Sequence, residues 1–216
     1  MNITEPMTLL TDYALGTVAG VMGISLRRIG RVQHQVSTKW WAGAFIAVAL
    51  AAFIGGTCHG AGHILGQGTL AILWKATIVI SGFISFFILV AAATKCLSQR
   101  WHLWVIGIAV IKLVLYLVWI SSHHEFRYVI FDYGSVLIVA LCLYGFAYHL
   151  NTNGALWIIG GLLLSVVAAI FQHRGLDLSV HFNHNDLYHV IQIGAMYLLY
   201  RGVKIGDAKA SMVKKA

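Results

Sequence analysis

The sequence predicts an all-α, polytopic membrane protein of seven transmembrane helices, with its N-terminus outside and its C-terminus cytoplasmic. Three observations predict it. Of 216 residues 59% are hydrophobic and only 10% charged, against about 25% charged in a soluble domain. Seven apolar stretches approach the roughly 20 residues that a spanning helix needs. The lone proline, Pro6, precedes the first stretch and interrupts none. Mean hydropathy is +0.80, and the apolar runs leave no room for a soluble domain. One helical domain over 1–203 and a basic cytoplasmic tail over 204–216 are expected.

The stretches are 8–26, 40–63, 70–93, 102–121, 127–148, 154–172 and 185–202. The first is the least hydrophobic and the last the shortest. No basic segment precedes the first, so it reads as a retained helix rather than a cleaved signal. The second is glycine-rich at its end, Gly55-Gly56-Thr57-Cys58-His59-Gly60-Ala61-Gly62-His63. The third carries Lys75 near its start. The fourth carries Lys112 at mid-depth, without an evident acidic partner. The fifth has Asp132 about one to two turns in, and Lys75 is its nearest counter-ion by depth. The sixth ends at Gln172 and His173. The seventh opens with His181-Phe182-Asn183-His184-Asn185-Asp186-Leu187-Tyr188-His189.

The charge of +8 is not a nucleic-acid patch, because it follows the loops. Arg27, Arg28, Arg31, Lys39, Lys95, Arg100, Arg201, Lys204, Lys209, Lys214 and Lys215 fall on one side, and only Arg127 and Arg174 on the other. That asymmetry sets the orientation by the positive-inside rule. With it, Asp12, His59, Lys75, Asp132, His184, Asp186 and His189 share one depth, in the outer leaflet. Polar side chains at that depth face a cavity, a partner or a metal. The three cysteines form no disulfide framework.

His59 sits one turn before His63, and neutral imidazole is a common metal ligand. His63 reads as an interfacial loop residue. Asp186, His189 and Gln192 share a helical face. Asn183 or Asn185 suits the N-cap, where Asp186 either stabilises the helix end or takes part in chemistry. Asp132, among apolar neighbours, must be paired, metal-bound or protonated. Asp12 is shallow enough to be interfacial.

A histidine late in the second helix and a histidine cluster opening the seventh resemble the CREST superfamily of membrane hydrolases. That group includes alkaline ceramidases and progestin/adiponectin-type receptors; uncharacterised bacterial members look closest. The resemblance implies a zinc ion held by His59, His189 and His184, activating water to cleave a lipid amide or ester. It implies a multi-pass protein, expected in a bacterial inner membrane, with a bilayer lipid as substrate or ligand. The sequence departs from the family pattern at Asn185, four before His189, and at Gly55, where a serine is usual. It lacks an aspartate early in the third helix. Asp132, Asp12 or Asp186 would then have to supply the acid/base group, with Asp186 or Asp132 the leading choice. A receptor or sensor without turnover is the alternative, and an ion-coupled transporter using Lys75, Lys112 and Asp132 a third.

Overall fold

The computed structural model describes residues 3–179 and 182–213, in backbone alone from 207 onward. His181, Lys214 and Lys215 lie outside the described residues. Among the described residues the fold is seven α-helices: α1 (Pro6–Val32), α2 (Val36–Gly60), α3 (Gln67–Cys96), α4 (His102–Ile120), α5 (Phe126–His149), α6 (Ala155–Arg174) and α7 (His184–Val213). No strand occurs among the described residues. Six helices, α1 to α6, are long and apolar enough to cross a bilayer. Helix α7 is less apolar because it carries Asn185, Asp186, His189 and Gln192 in its first three turns. It also continues well past 202, so 204–213 extends the last helix.

Six helices close a ring. Around it, α1 packs on α2, α2 on α3, α3 on α5, α5 on α6, α6 on α7, and α7 on α1. Helix α4 lies outside that ring, against α3. It has the highest hydropathy of the spans, 2.5, and the lowest buried share, 17%. A helix this apolar with most of its surface uncovered is compatible with lipid as its surroundings.

Glycines set how closely the helices approach. On α6 and α7, a Cβ at Gly161 would lie 2.7 Å from Leu199 Cγ, and one at Gly202 2.5 Å from Ile158 Cγ1. Gly154, at φ +80°, turns the chain into α6 directly beneath the Gly202 carbonyl, which a Cβ there would meet at 2.1 Å. Small residues at such crossings let backbones touch. On α1 and α2 the same device acts at Gly56, whose Cβ would lie 2.7 Å from Asp12 Cβ. That close approach carries Asp12 into the ring.

The core is continuous through the far half of the ring, with Trp41, Phe45, Leu137, Leu162 and Leu199 almost fully buried. A separate cluster of Ile78, Tyr116, Ile120 and Val129 fixes the end of α4. Helix α4 is held further by the Lys112–Asp132 ion pair and by Tyr116 Oη donating to Ile78 O at 2.7 Å. Lys112 is therefore the partner of Asp132, in place of Lys75, which is exposed. Lys112 lies eight residues before the end of α4 and Asp132 six after the start of α5. At 1.5 Å per residue both are about 10 Å from the same end of the bundle.

Candidate functional site

The start of α7 is built by a reciprocal cap. Asn183 Oδ1 accepts from the backbone N–H of Asn185 (2.8 Å) and of Asp186 (3.2 Å). Asp186 Oδ2 in turn accepts from the Asn183 backbone N–H at 2.8 Å. This is a capping box with Asn and Asp in the two roles. One turn later the same face of α7 presents His189 to α1.

His189 is buried between two α1 side chains. Its Nδ1 lies 3.0 Å from Thr11 Oγ1 and its Nε2 3.1 Å from Asp12 Oδ1. Thr11 has one hydroxyl hydrogen and three oxygen acceptors around it: Met7 O at 3.1 Å, Thr8 O at 3.2 Å and Asp186 Oδ1 at 3.4 Å. With that hydrogen given to one of them, His189 Nδ1 donates into Thr11 Oγ1 and Nε2 presents a lone pair to the Asp12 carboxyl, where a proton or a metal ion would sit between them; with it given to Nδ1, the Nε2–H donates to Asp12.

Asp12 and His189 line a cavity of about 300 Å³ inside the ring. His59 lines the same cavity from the last turn of α2. Its Nδ1 is 3.0 Å from Glu5 Oε2, and its ring meets Trp74 edge-on at 6.5 Å. Both cavity histidines thus have Nδ1 tied to an oxygen, the second partner that metal-ligating imidazoles commonly have. Gln172 Nε2 donates to Asn185 Oδ1 at 2.7 Å, which leaves the Asn185 amide N–H groups available on the cavity wall. Tyr133, Tyr188 and Gln192 complete its polar lining.

Two expected site residues lie elsewhere. His184 is at the first position of α7, outside the cavity, with Nδ1 2.8 Å from Asp177 Oδ1. The bonds from the His184 ring and backbone N–H hold the exposed Asp177 carboxyl below its usual range. His184 and His189 are five positions apart, and the helix already includes His184, so it cannot turn inward. Asp132 faces α4, where Lys112 takes it. Asp186 is buried but reaches His189 only through Thr11. The three histidines therefore each have their own carboxylate: Glu5, Asp177 and Asp12. As placed, no three His, Cys, Asp or Glu among the described residues are close enough to share an ion.

Thr11 is the residue that sequence reasoning missed, and Asp12, placed at the right depth, was read as interfacial. The signal was available: on α1, Thr8, Thr11, Asp12, Leu15, Gly16, Ala19 and Gly23 recur at helical spacing and are all buried. Asp12 lies within the stripe of small residues that packs inward, so it was never placed to be interfacial.

A ring of helices suited to a bilayer, closed around an acid- and histidine-lined cavity, defines an all-helical protein with an internal polar site. Residues 7–208 match the family of unknown function DUF6962, and the chain belongs to that family. No curated protein and no solved structure matches it.

Proposed function

We propose that the protein is a metal-dependent membrane hydrolase acting on a lipid amide or ester. The observation that carries this is His189 Nε2 facing Asp12 Oδ1 at 3.1 Å on a cavity wall shared with His59. Zinc bonds of about 2.0–2.2 Å put two ligand atoms on one ion roughly 3 to 3.5 Å apart. The tri-histidine set does not fit, because His184 is committed to Asp177 outside the cavity. Two histidines and a carboxylate, His59, His189 and Asp12, fit in donor chemistry, the composition of several catalytic zinc sites. Such an ion lowers the pKa of its water toward about 7 and polarises a carbonyl.

The remaining chemistry belongs to side chains. Thr11 and Glu5 fix the two imidazoles in the Nδ1–H form. Asp186 holds Thr11 and caps α7, a positioning role rather than a catalytic one. The Asn185 amide N–H groups are placed on the wall to bind the carbonyl oxygen. Leu15, Val48, Ala51, Ala52 and Ile84 supply an apolar wall beneath for the acyl part, beside the polar side chains of Ser81 and Gln192. In the bilayer α7 counts as the seventh span, with the N-terminus and the cavity end outside, as the Lys/Arg distribution favours.

The test is hydrolysis by the purified protein in vesicles containing acyl amides and acyl esters, followed by mass spectrometry of released fatty acid. Release that a chelator abolishes, zinc restores and His189→Ala removes is the expected result. No release from any acyl amide or ester by metal-replete protein would sink the proposal. One observation favours a receptor as the second reading: neither Asp132 nor Asp186 faces the cavity, so it lacks the additional carboxylate acid/base group expected from the sequence.

A further inference from the structure

The cavity has a floor. At the level of the Asp12–His189 pair, a Cβ on Gly55 would lie 3.9 Å from Asp12 Oδ2 and 3.5 Å from Thr77 Cγ2. Below that level the cavity is lined by Ala52, Ala51 and Val48 on α2 and by Ser81 and Ile84 on α3. It reaches no further. One turn beyond Leu15, Val48 and Ile84 stand Ala19, Phe45 and Ile88, exposed by 0%, 1% and 3% and packed in the core. From Gly55 to Val48, and from Thr77 to Ile84, is seven residues, or about 10 Å of helix.

Every helix of the ring packs on its two neighbours, and α4 covers α3 from outside. A chain that enters from the end where α7 begins must end inside the bundle. An extended chain advances about 1.2 Å per atom, the spacing within a stretched backbone. Ten ångströms below the donors therefore hold about eight carbons. The volume gives a compatible limit: 300 Å³ is about ten methylene-sized groups at roughly 30 Å³ each, the volume share of one water molecule. Part of that volume lies above the donors.

We infer that the site takes short acyl chains, about eight carbons or fewer beyond the carbonyl, and that Val48 and Ile84 set the limit. The inference rests on the acyl-lipid reading above and narrows it. It separates the preferred ligand from the long-chain lipids that make up the surrounding bilayer, which a blind cavity of this depth excludes.

The probe is the series of saturated fatty acids from C4 to C16, each offered separately to the full chain in detergent and scored by native mass spectrometry. Non-specific partitioning rises about fourfold per added methylene, so a maximum in the series is diagnostic. Retention that peaks at C8 or below and falls at least tenfold by C14 is expected. Val48→Ala and Ile84→Ala should each move the peak up by about two carbons, and Ala52→Phe should remove it. Thermal unfolding of each variant establishes that it is folded. Retention that climbs through C16 alike in wild type and variants overturns the inference, as does binding at no length. A peak at C8 in protein that contains no metal upholds the short-chain cavity and refutes the hydrolase.

Discussion

Lys112→Met leaves Asp132 in the bundle without its counter-ion. The Asp132 side chain is 9% exposed and that of Lys112 26%. Breaking a buried pair on one side costs about 3–5 kcal/mol. Lys112 is a quarter exposed, so a figure near the lower end, about 3 kcal/mol, is expected. Insertion costs of about 2.5–3.5 kcal/mol for a charge at mid-membrane agree. Asp132→Leu should cost a similar amount by stranding Lys112, less whatever the lysine recovers by reaching toward the interface. The double variant removes both charges and is expected within about 1 kcal/mol of wild type, because apolar replacement of an ion pair is often neutral. The double-mutant cycle should therefore return a coupling of about 3 kcal/mol or more, read from unfolding free energies in mixed micelles. Strict additivity would refute the pairing, and α4 would then be held by its apolar contacts with α3 and the start of α5. The double variant should also retain its metal and any lipid hydrolysis. Loss of either in a stable double variant would return Asp132 to the chemistry.

Thr11→Val removes the acceptor for His189 Nδ1–H. Metal affinity measured by chelator competition should fall about 10–100-fold, and Thr11→Ser should restore most of it. Gly154→Ala combines a left-handed φ with a carbonyl at the Cβ position. It should destabilise by about 3 kcal/mol in chemical unfolding, since strain of about 1–2 kcal/mol adds to the separation of α6 from α7. Asp177 titrates below its ordinary 3.8 because His184 bonds to its ionised form. The stabilisation is present above that value and is lost as pH falls through the depressed one. In His184→Ala, which removes the ring bond but keeps the backbone N–H, the Asp177 carboxyl should titrate higher than in wild type, part of the way back to 3.8, by NMR.

The helices were legible because apolar length is a one-dimensional signal. Their ends were less so. Helix α1 runs to Val32 and α7 to Val213, beyond the apolar runs, because polar residues continue a helix that no proline stops and that passes through Gly30 and Gly206. Helix α2 ends at Gly60 instead, and His63 falls in the following turn. The depth argument correctly brought residues of several helices to one end of the bundle, yet depth carries no azimuth. By depth Lys75 was the nearer counter-ion for Asp132 and Lys112 had no evident partner; the placement of α4 beside α3 and α5 brings Lys112 to Asp132 instead. His59 and His189 face the cavity as expected. His184 does not, since five residues on a helix turn through about 140° from the histidine that does. Asp12 was misjudged for the converse reason: it lies within two turns of a helix start, and its inward aim depends on Gly56 admitting α1.

Metal content per chain tests the central claim most directly. Protein purified without chelator would be measured by elemental mass spectrometry as wild type, Asp12→Asn, His59→Ala, His189→Ala and His184→Ala, each shown to be folded. One zinc per chain in wild type and in His184→Ala, with loss in the other three, is the predicted result. No metal in folded wild type, or retention in Asp12→Asn with loss in His184→Ala, would contradict it.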